Sequence, residues 1–236
     1  MVIKLYNIFF ISILFRSLKC ETTESTDTET LLKTYKNYIN ASHDLDKSDR
    51  NILKTWTADF QVQLVNVTTH YRLEMTRHKE HSFMSIKTNS KWNECITLHK
   101  TEIDGAEKSY YIDESKCLKI ANAEEGKKRH AVYQMEKEIR KWRKSYKYLL
   151  KQCNSNNPGD ENSAGICLVE YMQKDNYHIT FQRLILLKLE SMSDLYSQIL
   201  TSLRDCESCL KKTLFNYINE VRTIMDNLNR CYKRKS

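Results

Sequence analysis

The sequence predicts an all-α fold: an elongated antiparallel helical hairpin or bundle cross-linked by disulfides, with an additional N-terminal helix. Three observations predict it. The 236 residues include only one proline and four glycines, so helix breakers are scarce. Apolar residues recur at steps of three and four along most of the chain, the spacing of one helical stripe. The cysteines fall into pairs whose position numbers have a nearly constant sum, as cysteines at equal heights on two antiparallel arms must.

Residues 1–20, "MVIKLYNIFFISILFRSLKC", carry an early lysine and the apolar run Leu5 to Phe15. That run is too short and too early for a membrane span and reads as a secretory signal peptide cut near Cys20. No later stretch has the length of a transmembrane anchor, so the mature chain is expected to be secreted and extracellular. Seven cysteines after the signal fit an oxidising compartment. The sequons Asn40-Ala41-Ser42 and Asn66-Val67-Thr68 add two candidate glycosylation sites, Asn40 and Asn66. The formal charge of +8 falls by three when Lys4, Arg16 and Lys19 leave. A basic excess of that size permits anionic partners without demanding one.

Residues 21–30, "ETTESTDTET", have nothing apolar to bury and read as a disordered, acidic, Ser/Thr-rich arm. The region 31–91 reads as an N-terminal helical region. Its pattern starts weakly with Leu31, Leu32, Tyr35 and Tyr38. It becomes clear with Leu53, Trp56, Phe60, Leu64, Val67, Tyr71 and Met75, a helix expected over 53–84. The pattern breaks at 82–91, where Asn89 or Ser90 is placed to cap the next helix. The hairpin domain is expected over 92–231, with arms of about 92–153 and 166–231 and a basic tail at 232–236. The first arm carries the stripe Ala131, Met135, Ile139, Trp142, Tyr146, Leu149 and Cys153, with Gly105 and Gly126 as places where it could bend. The second carries Met192, Leu195, Ile199, Leu203, Cys206, Leu210, Leu214, Tyr217, Val221, Ile224, Leu228 and Cys231. Their mean step near 3.5 keeps one coiled-coil-like seam facing a partner.

Between the arms, Pro158, Gly159 and Gly165 gather in one polar tract bracketed by Cys153 and Cys167. That is where the chain reverses. The hairpin geometry pairs Cys153 with Cys167, Cys95 with Cys231, and Cys117 with either Cys206 or Cys209. The cysteine left over, Cys209 or Cys206, could bond Cys20, link two chains into a homodimer, or remain a buried thiol.

The order Cys95, Cys117-Leu118, Leu150-x-x-Cys153, a short polar loop, Cys167, a long gap to Cys206, and Leu228-x-x-Cys231 resembles the TsetseEP-type domain. This is a secreted, helical, cysteine-patterned insect domain of unknown function. The resemblance covers about 95–231. Lys147 stands where that pattern often has a further cysteine, and Cys209 is an addition. It implies an extracellular insect protein and carries over no catalytic residues.

Candidates for chemistry are few. His78 and His81 lie one turn apart with Glu74 a turn before, a possible metal set that lacks a further ligand nearby; solvated surface is the preferred reading. No metal or cofactor is expected. Arg140, Arg143, Lys144 and Lys147 interleave with Trp142, Tyr146 and Tyr148, a mixture suited to nucleic acid in a cytosolic protein. A signal peptide sets nucleic acid aside in favour of sulfated glycans or anionic lipid. The preferred reading puts the aromatics in the seam and the charges in water. No catalytic triad order, phosphate loop or zinc spacing is present, and the chain reads as no enzyme. The expected function is a secreted interaction protein binding extracellular proteins, glycans or microbial surfaces. The alternative is an amphipathic lipid or small-ligand carrier whose helices open.

Overall fold

The structure, a computed structural model, describes residues 28–83 and 89–235. The expected signal peptide with Cys20, most of the expected acidic arm, and residues 84–88 and 236 lie outside the described residues. Five helices account for the described chain: α1 (Thr28–Phe83), α2 (Ser90–Leu98), α3 (Lys100–Asn156), α4 (Glu161–Lys174) and α5 (Tyr177–Lys235). None is long and apolar enough to cross a membrane.

α1 starts earlier than the pattern suggests. Thr28, Glu29 and Thr30, which composition places in the arm, form its first turn. Glu29 there meets the positive end of the helix, and Thr34 Oγ1 donates to the Thr30 carbonyl at 2.9 Å. Asn89 caps α2 by accepting from the Lys91 amide at 3.0 Å, as its position predicts. The expected first arm is two helices, because the backbone leaves helical values at His99 (φ −99°, ψ 13°). Gly105 and Gly126 do not break α3. The reversal is tighter than the polar tract: α3 runs to Asn156, Gly159 takes the left-handed φ of 80°, and Asp160 caps α4 from the Ser163 amide at 3.0 Å. Gly165 thus lies inside a helix. The expected second arm is also two helices. Asn176 adopts φ 49° after α4, and its amide donates to the Gln173 carbonyl, a helix stop that asparagine tolerates better than most residues.

The chain divides into two compact units. The smaller comprises 28–41 and 146–178. In it α4 lies along the start of α1, and a methyl group at Gly165 would stand 3.0 Å from Leu32 Cδ1. The Cys153–Cys167 disulfide joins α3 to α4 across the turn, with Cα atoms 5.8 Å apart.

The larger unit comprises 42–83, 89–145 and 179–235. Contacts such as Arg72–Glu114 and Lys79–Glu107 have numbers that fall on α3 as they rise on α1, so these helices are antiparallel. Trp56–Tyr196 and His78–Tyr217 rise together, so α1 and α5 are parallel. The result is a three-helix bundle. One core cluster centres on Phe60, Leu64, Val132, Leu195 and Leu210; a second centres on Met75, Trp92, Tyr110, Val221 and Leu228. Most of the expected α5 seam is buried, with Leu203, Leu214 and Cys231 partly so. On α3 the stripe is displaced by one residue near its start. Ala131 is exposed and Val132 is fully buried.

Two disulfides tie this unit. Cys95–Cys231 joins α2 to α5, with Cα atoms 6.0 Å apart. Cys117 bonds Cys209 and not Cys206, which decides between the two partners that the hairpin geometry leaves open. Cys209 and Thr213 share the face of α5 turned to α3, and Cys117 Sγ lies 3.8 Å from Thr213 Oγ1. Cys206 sits in the core cluster as a buried free thiol, and burial together with Glu114 pushes its pKa up.

Candidate functional site

The basic tract on α3 does not face water as a whole. Arg140, Lys144 and Lys147 are exposed, but Arg143 is buried. Its Nη1 donates to the Ser42 carbonyl at 2.9 Å and its Nη2 to Asp46 Oδ2 at 2.5 Å. From α5, Lys188 Nζ donates to Asp46 Oδ1 at 3.0 Å and lies 2.7 Å from Asp49 Oδ2. Two cations and two carboxylates therefore neutralise one another inside the bundle, as buried charges must. Burial alone would raise the Asp46 pKa; hydrogen bonds and charge from Lys188 and Arg143 outweigh it and hold the carboxyl below its ordinary value. The aromatics also divide. Trp142 packs on Phe181 with ring centroids 4.5 Å apart, Tyr146 is half-buried, and Tyr148 points outward.

Next to this cluster, α1 and α3 leave an open groove of about 590 Å³. Arg50, Lys54, Arg129 and Arg140 line it, with Tyr133 and Glu136. Glu136 is its only lining carboxylate and is almost wholly buried. Arg50 Nε stands 3.7 Å and Arg140 Nη2 3.5 Å from Glu136 Oε2, while Oε1 is buried without a hydrogen-bond partner. Glu125 repeats the arrangement with Arg129 at 3.5 Å and a bare Oε1, and burial pushes its pKa up. These distances exceed the 2.7–2.9 Å of a well-formed charge-assisted hydrogen bond. The Arg72–Glu114 fork, at 2.5–3.0 Å, shows what an engaged pair looks like in this chain.

No protein-family model, curated protein or solved structure matches the chain.

The histidine set does not come together as a site. Glu74 pairs with Arg77 at 2.7 Å. His78 turns inward against Tyr217, its Nδ1 buried and unbonded, and burial, then His81 and Arg222, lower its pKa. Among the described residues no group of three or more such side chains is placed to hold a metal. Both sequon asparagines, Asn40 and Asn66, are exposed. Their partner hydroxyls are not: Ser42 is 0 % exposed and accepts from Arg143, and Thr68 is 6 % exposed with its Oγ1 donating to the Leu64 carbonyl at 2.7 Å.

The buried charges and the groove escape a reading of the sequence by apolar periodicity, although a signal exists. Ser42, Asp46 and Asp49 continue the apolar stripe of α1 at steps of three and four, and Lys188 stands one turn before Met192 in the α5 seam. A charge at a core position of a periodic helix implies an opposite charge facing it.

Proposed function

We propose that this chain is a secreted, non-enzymatic helical interaction protein that binds extracellular proteins, glycans or microbial surfaces through fixed helical faces. The observation that carries the reading is the cross-linking of helices α2, α3, α4 and α5 by three disulfides. Bridges of this number belong to oxidising compartments, and they keep the outward side chains in one arrangement, which lowers the ordering penalty of binding. The signal peptide, the two sequons and the resemblance to the TsetseEP-type domain point the same way. A lipid carrier must part its helices to expose Leu and Ile, and the bridges with the Asp46–Lys188 cluster oppose that.

The test is expression with the native N-terminus in insect cells. The expected result is a chain in the medium, processed near Cys20, with Cys95–Cys231, Cys117–Cys209 and Cys153–Cys167 found by non-reduced peptide mapping. Purified protein is then offered to an extracellular-glycan array and to lipid-exchange vesicles. Lipid uptake with all bridges intact would replace this reading by the carrier.

A further inference from the structure

We propose that the groove between α1 and α3 binds a linear sulfated glycan along a ladder of four cations, Arg140, Arg50, Lys54 and Arg129. This names a ligand class for the interaction function and rests on that reading only for the compartment in which the ligand is met.

The spacing of the cations selects the ligand. Arg129 and Arg140 lie three turns apart on one helix, about 16 Å at 1.5 Å per residue. Arg50 and Lys54 lie one turn apart on the antiparallel neighbour, about 6 Å. Arg50 is level with Glu136, so both α1 cations fall between the two α3 arginines. The charges therefore succeed one another along the groove instead of converging on one point. A single phosphate would use one of them, whereas a chain with a sulfate every few ångströms uses all four.

The cations are also available. Lys54 makes no ion pair among the described residues. Arg50 and Arg140 keep about half of their side-chain surface exposed and Arg129 about a third, at 54 %, 48 % and 34 %. Their contacts with Glu136 and Glu125 are long, and each carboxylate retains an unbonded oxygen. The two glutamates thus hold the guanidinium groups at the groove without using up their donors. Tyr133, 46 % exposed among the cations, offers a flat apolar face to a sugar ring. Thr57 and Gln61 add neutral polar groups to the lining. A ring-stacking face beside a charge ladder fits a sulfated sugar better than a bare polyphosphate.

The test uses the full secreted protein, a fluorescent heparin octasaccharide and its desulfated counterpart. Expected results are binding that weakens as salt rises, loss of at least tenfold in affinity for K54Q/R129Q/R140Q, and no change for K116Q/K119Q, elsewhere on α3. Glu136→Gln removes the only carboxylate in the lining and should tighten binding. Circular dichroism checks that each variant folds. The proposal is overturned if the triple variant binds like wild type, if the desulfated sugar binds equally, or if a single-stranded oligonucleotide of equal charge binds as tightly. Absence of heparin binding by a protein that is secreted and captures other array glycans would remove the groove and leave the broader function standing. A chain that stays in the cell removes the broader function, and the octasaccharide measurement still decides the groove.

Discussion

Lys188 Nζ lies 2.7 Å from Asp49 Oδ2 in the interior of the larger unit, on a side chain only 2 % exposed. Asp46 takes the same ammonium on its other side and Arg143 as well. Removing one member strands the rest. Lys188→Ala should destabilise by about 3–5 kcal/mol, because Asp49 loses its partner without regaining water. The full replacement D46L/D49L/R143L/K188L should fare much better than that single variant. Asp46 also gives a pH dependence: its folded pKa is depressed, so its contribution is complete above the unfolded value near 4 and disappears as pH falls through the folded value. Urea titrations between pH 2 and 6 check both statements.

The bridges should differ in weight. Cys117–Cys209 closes a separation of 92 residues and Cys153–Cys167 one of 14. In the chain-entropy picture the first restricts the unfolded chain more, by about 4–5 kcal/mol against about 3. Paired Cys→Ala variants compared in urea read the difference. Cys206 should resist iodoacetamide in the native protein and react in denaturant, because it is buried and its thiol pKa is raised. Peptide mapping after alkylation locates the adduct.

Two glycines in helices should respond in opposite ways. A methyl group at Gly126 meets nothing within 4 Å, so Gly126→Ala should stabilise by about 0.5–1 kcal/mol through helix propensity alone. Gly165→Val puts branches where even the first carbon approaches Leu32 Cδ1 to 3.0 Å, and it should lower the melting temperature.

His78 should make the protein acid-sensitive above the carboxylate range. Burial, then the charges of His81 and Arg222, depress its folded pKa. The unfolded chain therefore binds the proton first. Stability from this group is complete above about pH 6.5 and falls as pH drops below it. The melting temperature of wild type should drop between pH 7.5 and 5.5, and by less in His78→Leu. His178, lowered by burial alone, contributes a decline of the same sign.

Helix content, the turn at Pro158–Gly159 and two of the bridges are legible in the sequence because each rests on periodicity or on breaker residues. Cys206 against Cys209 is not. Both lie near the seam, and the choice depends on how far α5 is rotated toward α3, which a single stripe leaves undetermined. The break at Asn176 is written in one residue able to take a positive φ, beside helix formers that mask it. Arg143, read with its basic neighbours, goes to water. Only the facing helix, with Asp46 at matching height, turns it inward, and composition within one helix carries no information about such a partner.

The concealment of Ser42 and Thr68 fixes when sugar can be attached at Asn40 and Asn66. Oligosaccharide transfer needs the hydroxyl two positions on, and the folded protein withholds it. Any such modification belongs to the nascent chain, in the interval before its first helix docks. Occupancy at the two asparagines would then be a clock, recording how long that segment waited for its neighbours.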